Sequence, residues 1–153
     1  MPTAEAAVSA INMGRVVTGG IAAGAVLNAS DFVINNFILN EAWIRVQQAR
    51  NVDVAAASGT PELIKFILID FILGFLIVWV YAAIRPRLGP GPTTAAVAAL
   101  VIFAAGALNM ASFAPWFFSW DMFIRSGTLG LTSMLVAGWA GGWVYTEPGE
   151  IQD

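Results

Sequence analysis

Apolar residues gather in four long runs along the chain, separated by short polar stretches. The first runs from about Val16 to Leu39, opening VVTGGIAAGAVLNAS and continuing FVINNFIL. The second, Leu63 to Ile84, reads LIKFILIDFILGFLIVWVYAAI and is the most hydrophobic. An alanine-rich third covers Thr94 to Ala114, and the fourth runs from about Met122 to Tyr145. A bilayer core needs about 20 mostly apolar residues per helix. A soluble bundle would show polar residues every three or four positions on one face of each helix, and the second and fourth runs have no such stripe. The pattern predicts an all-α, polytopic membrane fold with four transmembrane helices arranged as two antiparallel hairpins.

The connections fit that count. RPRLGPGPTT after Ile84 predicts a tight exposed turn, and Pro115 with WFFSWD predicts a short link between the third and fourth helices. The first connection, Asn40 to Glu62, is longer. EAWIRVQQARN has good helix formers, so the first helix is expected to extend beyond the membrane. AAASGTPE then breaks the chain, with Thr60 as cap, Pro61 in the first helical position and Glu62 complementing the helix dipole. Residues 1–14 are expected to be an N-terminal tail, 15–146 the membrane domain and 147–153 a C-terminal tail. Met13 is an alternative start. A cleaved signal peptide ending near Ala29 is disfavoured because apolar residues resume from Phe32 to Leu39.

Composition narrows the chemistry. Of 153 residues 58% are hydrophobic and 11% charged, with a mean hydropathy of +0.75, whereas a soluble domain carries about 25% charged residues. The absence of cysteine removes disulfides, thiolate metal sites and cysteine nucleophiles. The absence of histidine removes the commonest general base and the usual haem and chlorophyll ligand. No cofactor or metal site is expected, and a net charge of −3 argues against nucleic acid. Arg15, Arg85 and Arg87 fall on one side of the membrane and Arg45, Arg50, Lys65 and Arg125 on the other. That balance decides little, but the acid-free RPR turn inclines the termini to the cytoplasmic side. Trp43, Trp116 and Trp120 are expected at one interface, and Trp79, Tyr81, Trp143 and Tyr145 at the other.

Two acids lie inside predicted spans. Asp31 is eight residues from the end of the first and Asp70 seven from the start of the second, so antiparallel packing predicts similar depths, roughly 10–12 Å from one interface at 1.5 Å per residue. Asn109 and Arg125 reach the same region, which predicts one intramembrane polar layer of Asn28, Asp31, Asp70, Asn109 and Arg125. Gly20, Gly24, Asn28, Asp31 and Asn35 share one helix face. Gly20 with Gly24, and Gly138 with Gly142, have the small-xxx-small spacing that lets helices approach closely. Intramembrane acids are costly and need partners. Two readings follow: the acids hold helices or subunits together, with Arg125 or Lys65 neutralising one, or they bind a proton, a cation or a polar headgroup. A pair of intramembrane aspartates also suggests intramembrane aspartyl proteases. Those use Tyr-Asp and Gly-x-Gly-Asp where this chain has Ser30-Asp31 and Ile69-Asp70, and more helices, so no enzyme is expected.

GGIAAGAVLNASDFVINNFIL, GFLIVWVYAAIRPRLGPGPTTA and GGWVY together resemble a group of small uncharacterised bacterial four-helix integral membrane proteins, most specifically over Tyr81 to Ala95. The resemblance implies a four-helix membrane fold and a bacterial setting and carries no activity; the bacterial inner membrane is the expected location. The chain is also similar in size and helix number to small multidrug transporters, but it is longer and adds Asp70. The expected function is a non-catalytic accessory subunit of a larger membrane complex, for which a respiratory or photosynthetic complex is one candidate. The alternative is a small oligomeric transporter or proton/cation-binding protein using Asp31 and Asp70. Expected partners are membrane lipid and either other membrane subunits or further copies of the chain.

Overall fold

The structure, a computed structural model, describes residues 11–51, 59–117 and 119–146. Helix α1 covers Met13–Val33, its first turn capped by Asn12, whose side chain accepts from the Arg15 backbone N–H at 3.2 Å. It passes into a π-helical turn, Ile34–Ile38, and then into α2, Asn40–Ala49. Three long helices follow: α3 Thr60–Leu88, α4 Pro92–Phe117 and α5 Trp120–Val144. The expected extension of the first helix is thus a separate short helix, joined through one widened turn.

The π turn carries two asparagines. Asn35 and Asn36 each donate from Nδ2 to the carbonyl four residues back, Asp31 and Phe32, both at 2.9 Å. Asn35 Oδ1 in turn accepts from Trp43 Nε1 at 2.9 Å and ties α2 to the turn.

Other boundaries differ from those read in the sequence. Gly59, not Thr60, caps α3, while proline and Glu62 do occupy its first turn. α3 continues through Arg85, Pro86 and Arg87 to Leu88, so the connection to α4 is only three residues long. Gly89 (φ 82°) and Gly91 (φ 122°) make that reversal possible, since other residues rarely adopt such angles. Thr94 Oγ1 donates to the Gly89 carbonyl at 2.7 Å and closes the turn. Arg85, expected in an exposed turn, is instead buried, its guanidinium 5.5 Å from the centre of the Tyr145 ring. α4 likewise runs past Ala114, where the third segment was expected to end, to Phe117.

The helices form a bundle in which α1 packs against α3 and α5, and α4 closes the other side between the same two helices. Three stretches are long and apolar enough to cross a membrane: Met13–Ile38, Thr60–Leu88 and Pro92–Ala114. α5 has comparable length but is diluted by Arg125, Ser126, Thr128, Thr132 and Ser133.

The main core lies at one end, while at the other only Leu39, Ala114 and Met122 are buried among the described apolar residues. Val16, Ala23 and Leu27 of α1 meet Ile77, Val78, Tyr81 and Ala82 of α3, Ala95, Ala98 and Ala99 of α4, and Met134 and Ala137 of α5. Small residues bring the backbones together. A Cβ on Gly74 would collide with the Gly24 backbone nitrogen and stand 2.7 Å from the Gly20 carbonyl. One on Gly19 would lie 2.7 Å from the Gly141 carbonyl, and one on Gly138 would lie 3.1 Å from both the Ala95 carbonyl and the Ala99 methyl. Gly142 faces Ala95 and the Tyr81 ring. Beyond this end the bundle opens. No side chain of α1 past Leu27 is buried, none of α3 before Asp70, and none of α5 between Met122 and Ser133.

Candidate functional site

The close α1–α3 crossing fixes a register. Gly20 meets Phe75, Gly24 meets Phe71, and Asn28 Nδ2 reaches the Ile67 carbonyl at 3.4 Å. Each step of four along α1 is matched by a step of four back along α3. Continuing this register sets Asp70 level with residue 25, so Asp31 and Asp70 are offset by six residues, about 9 Å along the axis at 1.5 Å per residue. Side chains tilt toward the N-terminus of their own helix. In antiparallel helices this leans Asp31 back and Asp70 forward, toward each other and toward Asn28 between them.

Asp70 sits at the boundary where the packed half gives way to the open half. It is only 7% exposed, and Asp31, further out, is partly buried. Among the described residues neither carboxylate has a hydrogen-bond or ion-pair partner. The groups nearest by register are already committed. Asn28 donates to the Gly24 carbonyl at 2.9 Å as well as to Ile67. Ser133 of α5 is buried, and its hydroxyl donates to the Leu129 carbonyl at 3.2 Å.

Ser133 belongs to this level through the α3–α5 packing. Ile77 lies against Gly138, Val78 against Gly141 and Tyr81 against Gly142. Carrying that spacing back to Asp70 reaches residues 131–133. A buried serine five residues before Gly138 gave no signal in the sequence, because its level depends on which helix lies alongside.

The expected single layer therefore divides. Asn28, Asp31 and Asp70 come together; Asn109 and Arg125 do not join them. Asn109 has an exposed side chain on α4, and its carbonyl accepts from Ser112 Oγ at 2.6 Å. Arg125 Nε donates to Asp121 Oδ1 at 3.0 Å on the surface of α5. Lys65, the other cation considered, pairs with Glu62 at 2.6 Å. Both pairings were legible as i,i+4 and i,i+3 neighbours on one helix, and both withdraw the cations from the acids. Gly20 and Gly24 lie at the α1–α3 crossing and Gly138 and Gly142 at the contact of α5 with α3 and α4. Asn35, last on the first helix's polar face, is exposed and serves the π turn.

Chemically, the site offers two carboxylates with free lone pairs, one deep and one accessible from the open half. It can accept hydrogen bonds from a cationic or amide-bearing side chain, hold a proton, or contribute oxygen ligands to a cation. Comparison of the chain with protein-family models, with curated proteins and with solved structures finds no match.

Proposed function

We propose that the chain is a small, non-catalytic subunit of a larger complex in the bacterial inner membrane, docked through its open half. It crosses the membrane four times with both termini on the cytoplasmic side. α5, about 37 Å long at 1.5 Å per residue, lies against α1 and accompanies the three more apolar helices across. A membrane helix of the partner, bearing a basic or amide side chain, enters beside α3 and meets Asp31 and Asp70.

The observation that carries this reading is the pair of carboxylates that, among the described residues, have no counter-charge at the point where the bundle opens. An intramembrane charge without a partner is strongly unfavourable, and Lys65 and Arg125 are engaged elsewhere. The apolar side chains around the opening support it: Phe32, Phe66 and Phe71 are all exposed. Aromatic anchors of this kind are enriched where proteins dock.

Burial of Asp70 beside Asn28 and Ser133 favours a second reading, a small oligomeric transporter or proton/cation-binding protein. Mild-detergent extraction from native membranes, with native sizing and mass spectrometry, separates the two. Docking predicts comigration with a larger complex at fixed stoichiometry, reduced at least tenfold by Asp31→Ala or Asp70→Asn. Migration alone or as a small homo-oligomer, with cation or proton flux in proteoliposomes that Asp70→Asn abolishes, would establish the second reading.

A further inference from the structure

At the open end of the bundle, α2 lies beside the α4–α5 connection and leaves a groove of about 630 Å³ between them. Three of its wall residues are arginines, Arg45 and Arg50 from α2 and Arg125 from α5, against one acid, Asp121. Their commitments are unequal. Arg125 is paired with Asp121 at 3.0 Å. Arg45 stands 3.9 Å from Glu41, with both side chains largely exposed at 71% and 89%, a pairing that holds neither firmly. Arg50 has no carboxylate among the described residues; its guanidinium lies 5.3 Å from the centre of the Phe117 ring.

Apart from Ser119, the rest of the wall, including Val46, Ala49 and Met122, is apolar. Trp116 and Trp120 are exposed at the same end, and Trp43 is held to the π turn; such aromatic girdles mark the membrane–water interface. One turn toward the membrane centre, Phe113 and Ile124 are also exposed. The groove thus presents guanidinium groups at headgroup depth above an apolar surface at acyl-chain depth. A soluble anion would use only the first of these features, and a zwitterionic lipid brings no net charge to three arginines. Guanidinium forks also match phosphate oxygens in geometry.

We propose that this groove holds the phosphate of an anionic phospholipid, with Arg50 as principal donor and Arg45 and Arg125 beside it. The acyl chains run down the exposed faces of α4 and α5. The proposal rests on the membrane reading but not on Asp31 or Asp70.

The test uses the full chain in nanodiscs of phosphatidylcholine with a minor fraction of phosphatidylglycerol, reading by native mass spectrometry which lipids remain bound. Wild type is expected to retain phosphatidylglycerol well above its bulk fraction. Arg50→Gln lowers that enrichment about fivefold, as expected for one basic residue at a membrane surface, and the Arg45/Arg50/Arg125→Gln triple variant removes it. Arg87→Gln, exposed at the opposite end, leaves it unchanged. Equal retention of both lipids by wild type, or enrichment that survives in the triple variant, overturns the proposal. Displacement of phosphatidylglycerol by millimolar inorganic phosphate overturns it in favour of a soluble anion. A chain that stays in solution without lipid overturns the membrane reading itself.

Discussion

A carboxylate within the hydrocarbon region is tolerated when a cation or a set of donors meets it, and around Asp70 the nearby donors are spent on backbone carbonyls. If the partner supplies what is missing, Asp70 burdens the isolated chain and serves the complex. Asp70→Val, apolar and of comparable size, is then expected to stabilise the isolated protein by about 1–3 kcal/mol, the usual cost of a buried unsatisfied polar group, while weakening its association. A rise in the detergent-unfolding midpoint, together with loss of the comigrating complex, is the expected result. A fall in the midpoint would mean that Asp70 holds this chain's own helices together.

Between helices, the decisive contacts are backbone to backbone, and the same substitution should act oppositely at two glycines. Gly74→Ala places a methyl against the Gly24 backbone nitrogen, which neither helix can yield without separating. It is expected to cost at least about 1–3 kcal/mol, as overpacking does. Gly106→Ala on α4 meets nothing within 4 Å and should stabilise by about 0.5–1 kcal/mol through the reduced freedom of the unfolded chain. Reversible unfolding in mixed micelles measures both, and equal effects would contradict the close crossing. At this scale the four apolar runs, the glycine spacings and the break before α3 were legible in the sequence, because each is a local pattern. The burial of Arg85 was not, since it depends on Tyr145 arriving from the far end of the chain. Nor was the offset between Asp31 and Asp70: predicted span ends suggested equal depth, whereas the glycine-to-phenylalanine contacts set the register. The π turn escaped notice for a related reason. Asn35 read as the last member of a polar helix face, and nothing in the sequence marked the bonds that Asn35 and Asn36 donate to the Asp31 and Phe32 carbonyls.

For the molecule as a whole, tight packing at one end and an opening at the other describe a division of labour. Alanine and glycine clamp the four helices around Tyr81 and Tyr145, whose rings meet edge to face with centroids 5.9 Å apart. The other end keeps large apolar side chains exposed and two acids unpartnered among the described residues, with the arginine groove above them. Contiguous exposed apolar surface marks a protein or lipid contact, and the acids distinguish the two, because lipid tails cannot meet a carboxylate. Because the chain has no cysteine, a photoactivatable maleimide on a single introduced cysteine reports one position cleanly. Phe66 lies one turn from Asp70 on the same face of α3 and is 60% exposed, whereas Val17, 47% exposed, lies on α1 at the packed end. The most direct measurement is therefore photocrosslinking in native membranes from Phe66→Cys, with Val17→Cys as reference. Docking predicts a single adduct with one other membrane protein from position 66 and lipid adducts from position 17. Lipid adducts from both positions, or an adduct only with a second copy of the chain, would contradict it.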